Sequence, residues 1–349
     1  MFAQRLAQLI YKGLGVALCR QTLAAMLAQI TSESHTMGRY IHEQVVRHGY
    51  FTLLVVFGIW FEVSAQGTER TAPVPSNLRE VTIPNTELTT IRSQIVGQEF
   101  NIYIQLPSNY YADSATIYPV LYVTDANRAF PMVANISTVL TFPKGKLAEI
   151  IVVGIGYPIK DMSEWAAWRT RDLTPTHDTS TDNYWNTLLA KMSHRKFEVR
   201  SGGASKFLDF MILELIPFIE ANYRVSRSDR GLAGYSYGGL FALYALFTHP
   251  ETFGRFFAGS PSVEYDDEII FKRANEFTAF AKRLKAKVFL SVGSLEDSST
   301  IAGVRKMSDL LKSQSGPGVQ VSLQIFDGED HRSCMATAIM RAFRVLYGQ

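Results

Sequence analysis

Gly234-Tyr235-Ser236-Tyr237-Gly238-Gly239 places a serine between glycines two positions before and two positions after it. A serine hydroxyl is a weak nucleophile and needs a neighbouring base to take its proton. When such a serine sits on a sharp strand-to-helix turn, its backbone is strained and adjacent segments crowd together. The flanking positions must then be tiny, a need that Gly234 and Gly238 meet. The pattern alone is common by chance. Here Leu232–Gly234 reads as a short strand and an apolar helix follows from Leu240, so Ser236 is the candidate nucleophile.

Beyond residue 65 the chain has four histidines. His249 stands in a Thr-His-Pro helix end and reads as structural, while His177 and His194 fall in a segment expected to form a cap. His331 follows a strand and precedes the last helix, within Phe326-Asp327-Gly328-Glu329-Asp330-His331, and is the candidate general base. The base needs an acid to fix its tautomer, in the chain order Ser, Asp/Glu, His. The strand Val288–Val292 runs into Gly293-Ser294-Leu295-Glu296-Asp297, which makes Glu296 the first choice and Asp297 the runner-up. A tetrahedral intermediate needs two donors for its oxyanion. The backbone N–H of Tyr237 is one candidate, and the N–H of Ala126 in Thr124-Asp125-Ala126-Asn127 is the other.

Positioning these groups requires a layered fold. Arg79–Ile83, Thr89–Val96 and Glu99–Leu106 have strand character, the last alternating in period two as a half-exposed antiparallel strand does. Tyr118–Val123 and Glu149–Ile155 are continuously apolar, as strands covered on both faces are. Helical spacing marks Lys206–Tyr223, Leu240–Phe247 and Ser333–Tyr347; Val288–Val292 and Val321–Phe326 are late strands. Antiparallel strands followed by β-α alternation predict an α/β-hydrolase sandwich with a mostly parallel central sheet and a cap insertion. The cap is expected at about residues 157–205, an aromatic- and arginine-rich stretch with little strand pattern, or else this is a surface excursion that packs locally. The catalytic domain is expected to span 66–349.

Taken together, these residues resemble the esterase D family, with closer likeness to its enterobactin (enterochelin) esterase-like branch. The resemblance rests on Tyr118-Pro119-Val120-Leu121-Tyr122, Arg171-Asp172-Leu173-Thr174-Pro175, the serine turn with Gly239-Leu240-Phe241, Ser260-Pro261-Ser262 and Gly328-Glu329-Asp330-His331. It covers about residues 79–345. It implies a metal-free hydrolase of carboxylic esters, and in the siderophore branch cleavage of a catecholate trilactone. Two departures stand out. The family usually has Asp-Gly where this chain has Asp125-Ala126, and it tends to have Trp after the Ser-Pro-Ser, where this chain has Val263-Glu264-Tyr265. The second change alters the pocket wall and bears on the substrate. Arg171, in the family-like motif, is the candidate to hold an anionic or catecholate group; its other reading is a salt bridge to Asp172 or a neighbour.

Composition narrows the remaining choices. The chain has 349 residues, 47% hydrophobic and 19% charged, the balance of a packed globular protein. Residues 1–65 hold five of the 35 basic and three of the 32 acidic side chains, leaving 30 against 29, so no electrostatic case exists for nucleic acid. Cys19 and Cys334 form no framework, and no metal or phosphate-loop motif occurs, so no cofactor is expected. Arg39, His42 and Arg47 precede the apolar run Phe51–Phe61, and Val63-Ser64-Ala65 closes it. The run is too short to span a bilayer, for which about 20 residues are needed. Residues 37–65 therefore read as a signal peptide cleaved after Ala65, giving a secreted or periplasmic protein without stable membrane insertion. Residues 1–36 read as an over-long gene start or as an amphipathic extension. A small-molecule ester is the expected partner. A carbohydrate (acetyl or feruloyl) esterase and a non-catalytic binding protein on a hydrolase scaffold are the competing readings.

Overall fold

The computed structural model describes residues 81–141, 147–193, 198–276 and 284–348. The expected leader 37–65, the extension 1–36, the linker before the first strand and His194 lie outside the described residues.

Strand β1 (Thr86–Arg92) pairs antiparallel with β2 (Glu99–Gln105). On β2 the alternation of sequence becomes an alternation of burial, with Phe100, Ile102 and Ile104 fully buried between more open neighbours. Strand β3 (Tyr118–Val123) is followed by helix α1 (Ala126–Thr141) and β4 (Ile151–Gly156). Helices α2 (Met162–Asp172) and α3 (Thr179–Met192) come next. Then α4 (Ala204–Phe210), a π-helical turn (Met211–Leu215) and α5 (Ile216–Asn222) lead into β5 (Val225–Tyr235). The rest alternates: α6 (Tyr237–Thr248), β6 (Arg255–Gly259), α7 (Tyr265–Glu276), β7 (Ala286–Gly293), α8 (Ser298–Gln314), β8 (Val319–Phe326) and α9 (Cys334–Tyr347).

The eight strands form one sheet in the order β1-β2-β4-β3-β5-β6-β7-β8. β2 meets β4 antiparallel, and every pairing from β4 to β8 is parallel. This is the expected α/β-hydrolase sandwich with antiparallel strands at the N-terminal edge. Two apolar layers cover the sheet. One is built on α4 to α6 with Phe207, Phe210 and Phe241; the other is built on α1 and α9 with Phe130, Ile339 and Phe343. Helix α6 is buried at every residue from Gly238 to Phe247, so its sequence is apolar all round and not amphipathic.

Several boundaries differ from expectation. Residues 81–83 of the expected first strand are not in a strand, and the expected Thr89–Val96 strand ends at Arg92. There the N–H of Ser93 reaches the Gln98 carbonyl at 2.8 Å and closes a turn. β6 is five residues long and escapes a reading that depends on period. The cap stretch is largely helical, not irregular. Asp161 accepts from the N–H groups of Ser163 (2.8 Å) and Glu164 (3.2 Å), and Asp178 does the same for Ser180 (3.1 Å) and Thr181 (2.9 Å). Such N-caps start helices whose mixed aromatic and polar composition hides the helical period. Among the described residues no helix is long and apolar enough to cross a membrane.

Candidate active site

Ser236 lies between the end of β5 and the start of α6 with φ 60° and ψ −119°, a conformation costly for a residue with a side chain. Its surroundings enforce it. The Ser236 N–H donates to the Gly259 carbonyl at 2.8 Å, and its own carbonyl accepts from Leu240 at 2.9 Å and from Ser262 at 3.3 Å. A Cβ on Gly234 would overlap the Gly238 backbone, and one on Gly238 would overlap the Thr124 hydroxyl. Gly234 is therefore required by close backbone approach and Gly238 by the Thr124 side chain beside it.

His331 and Glu296 meet beside this turn. His331 Nδ1 lies 2.7 Å from Glu296 Oε2. The other carboxylate oxygen accepts from Ser260 Oγ at 2.7 Å and from the Gly293 N–H at 2.8 Å. The Glu296 side chain is 3% exposed, whereas that of His331 is 47% exposed. Burial alone would raise the Glu296 carboxyl; the hydrogen bonds from His331, Gly293 and Ser260 outweigh it and hold it below the usual carboxylate range. Asp297 is solvent-exposed at the start of α8 and has no such contact, so the structure brings Glu296 and not Asp297 to the imidazole.

Ser236, Tyr237, Glu296 and His331 line an open cleft of about 490 Å³, together with Arg169, Trp185, Ser260, Ser262 and Glu264 among others. Trp185 comes from α3, and its indole N–H donates to the Tyr237 hydroxyl at 3.3 Å. The stretch expected to form a cap thus contributes side chains to the cleft.

Tyr237 and Ala126 each open a helix, α6 and α1, so both N–H groups sit at a positive helix end. The Ala126 side chain is buried and turned toward Gly154, which leaves room for it. The start of α1 is tightly held. Asn127 donates to the Tyr157 carbonyl at 2.8 Å and accepts from its N–H at 2.7 Å. Asp125, at φ 57°, takes a two-pronged ion pair from Arg169, Nε to Oδ1 at 2.8 Å and Nη2 to Oδ2 at 2.8 Å. The Arg169 guanidinium also lies over the rings of Trp165 (4.8 Å) and Tyr237 (5.1 Å).

Arg171 is placed elsewhere. Its guanidinium is committed to the Asp172 carboxylate (2.6 and 2.9 Å) and to Gln98 Oε1 (2.7 Å), and it is not among the cleft-lining residues. The guanidinium makes the salt bridge of the alternative reading, and the structure does not bring Arg171 into the cleft with Ser236. The reason is local: Asp172 is 1% exposed, and an ionised carboxylate so placed must be paired. Among the described residues Arg169 is the arginine of this stretch that lines the cleft, two residues before the motif that begins at Arg171. In the departure after Ser260-Pro261-Ser262, Val263 is buried in the core and Glu264 is exposed at the cleft. His177 pairs with Asp182 at 3.0 Å, and His249 caps the end of α6.

A strained serine at a strand–helix junction, sharing a cleft with a carboxylate-bound histidine on an α/β sheet, defines a serine hydrolase. The chain belongs to the putative esterase family of carboxylic-ester hydrolases, the esterase D group, whose family model matches residues 93–333. The ferri-bacillibactin esterase of Bacillus subtilis is 30% identical over 287 residues, covering 80% of this chain and 94% of that one. The siderophore triacetylfusarinine C esterase of Aspergillus fumigatus is 25% identical over 318 residues, covering 80% of this chain and 96% of that one. A crystal structure of the BES protein from Bacillus cereus superimposes with a TM-score of 0.69 at 26% identity, over 79% of this chain and all of that one.

Proposed function

We propose that this protein hydrolyses the ester bonds of a siderophore through an acyl-enzyme on Ser236. The observation that carries the chemistry is Ser236 held at φ 60° in one cleft with a His331 whose Nδ1 lies 2.7 Å from Glu296. Glu296, ionised, accepts a hydrogen bond from the Nδ1–H, which leaves Nε2 of His331 unprotonated as the base for the serine hydroxyl. Ser236 Oγ attacks the ester carbonyl, and the N–H groups of Tyr237 and Ala126 receive the oxyanion. His331 then returns the proton to the leaving alcohol. Water, activated by the same imidazole, releases the acid and restores the serine. The siderophore reading is supported by relatives from a bacterium and a fungus, both esterases of siderophores by description and both covered almost end to end. Export through the leader at residues 37–65 belongs to the same proposal, on the basic residues, short apolar run and small-residue exit read there.

The test is a substrate panel for the protein and its Ser236→Ala variant: p-nitrophenyl butyrate, methyl ferulate, and apo and ferric enterobactin and bacillibactin. Serine-dependent cleavage of a trilactone well above the simple esters is the expected result. Turnover of methyl ferulate above every siderophore would replace the substrate while keeping the mechanism.

A further inference from the structure

We propose that Ser260 and Tyr235 are positioning residues of the reaction, a hydroxyl relay that locks the Glu296 carboxylate behind His331. The proposal rests on the hydrolase reading above. Tyr235 Oη lies 2.8 Å from Ser260 Oγ, and Ser260 Oγ lies 2.7 Å from Glu296 Oε1. The direction of each bond follows from the last acceptor. An ionised carboxylate only accepts, so Ser260 donates to it and its lone pair accepts from the Tyr235 hydroxyl. With the Gly293 N–H at 2.8 Å on the same oxygen, Oε1 is filled and Oε2 alone faces the imidazole. The carboxylate therefore cannot rotate or present the wrong oxygen without breaking two bonds.

Tyr235 acts on both members of the pair. Its ring packs against the His331 ring at 5.3 Å with a tilt of 56°, while its hydroxyl supports the acid through Ser260. It is also the residue directly before the nucleophile, so one short stretch of β5 fixes the position of all three groups.

Ser260 is a costly choice for the backbone alone. It sits at φ 34°, where glycine would be the unstrained residue, and it is 1% exposed. Its N–H donates to the Ser291 carbonyl at 2.8 Å, which ties the turn to β7. Strain of this kind persists where the side chain has a task that glycine cannot perform. It gives the first serine of Ser260-Pro261-Ser262 a chemical reason to be there, while the third residue contributes its N–H to the Ser236 carbonyl.

Other charges face the pair. Glu264, Asp297, Asp330, Arg332 and the Asp125-paired Arg169 line the open side, and Cys334 and Glu329 lie near the closed side. None of the first five substitutes for a donor on Oε1, whose two partners are Ser260 and Gly293. Removing the Ser260 hydroxyl leaves more unneutralised charge on Glu296, which raises the affinity of His331 for a proton.

The experiment compares the full chain with Ser260→Gly, Ser260→Ala and Tyr235→Phe, measuring kcat and KM for p-nitrophenyl butyrate from pH 5 to 9 and the melting temperature of each. Ser260→Gly is the decisive variant because it relieves the backbone strain while deleting the hydroxyl. It should still melt cooperatively yet lose about tenfold in kcat, with KM within about twofold. Its acid limb should move upward by roughly half a pH unit. Tyr235→Phe, which keeps the ring against His331, should move both readouts the same way by less. A Ser260→Gly enzyme with the parent's kcat and acid limb would overturn the relay, and so would a lower kcat with an unmoved limb, which marks a packing effect. These outcomes are read where parent turnover depends on Ser236; turnover that survives Ser236→Ala sinks the hydrolase reading itself.

Discussion

Each residue around Ser236 has a distinguishable task, so single substitutions separate them. Ser236→Ala should lower kcat at least about a thousandfold with an unchanged fold, since the nucleophile is lost and the strained turn is kept. Glu296→Gln should cost about as much, because an amide reverses one hydrogen bond and favours the wrong imidazole tautomer. Asp297→Asn, which touches nothing in the pair, should stay within about threefold. Glu296 also enters acid stability. Its folded value lies below its unfolded one, so its contribution is complete above the unfolded carboxylate range and is lost as pH falls through the folded value. Urea midpoints at neutral and acidic pH should therefore converge between parent and Glu296→Gln as the acid is reached; a constant gap would contradict the hydrogen-bonded carboxylate. The sequence singled out Ser236, His331 and the Glu296/Asp297 choice, which the structure places around one cleft, because a nucleophile, base and acid of this kind follow fixed strand ends. It ranked Glu296 above Asp297 without settling the pair, since that depends on which side chain turns inward after Gly293. Ser260 and Tyr235 were present in recognised motifs, but their roles needed distances.

At the level of elements, the sheet strands were legible where burial is uniform or strictly alternating, as in β2, β3 and β7. Helices α2 and α3 were not, because their start signals are single aspartates and their apolar faces are interrupted. These helices explain why Arg169 and Arg171, two residues apart on α2, have different fates. Arg169 crosses to Asp125 at the start of α1, whereas Arg171 stays with its neighbour Asp172 and with Gln98. Arg169→Met leaves a buried carboxylate unpaired and should cost about 3–5 kcal/mol in urea unfolding. It should also lower kcat, since the loop that carries the Ala126 N–H loses its anchor. Arg171→Gln should lower stability yet leave KM for the best panel substrate unchanged. A rise in KM of tenfold or more would return Arg171 to the substrate.

The molecule as a whole carries its core between Phe100 and Tyr347, in two apolar layers on either side of one sheet. Every described residue of those layers lies beyond residue 81, so a chain beginning at Gln66 should fold and hydrolyse esters with the kcat of the full chain. That truncation leaves Cys334 as the sole cysteine. Cys334 is fully buried at the start of α9, and burial pushes its thiol up to about 11. A thiol so held is neither ionised nor accessible at pH 8, so it reacts only when the domain opens. Ellman's reagent should release no thionitrobenzoate from the native truncated protein and one equivalent per chain after urea denaturation. Addition of urea in steps should expose the thiol in the same transition that abolishes esterase activity. Prompt labelling in buffer would mean that the sandwich does not shut Cys334 in.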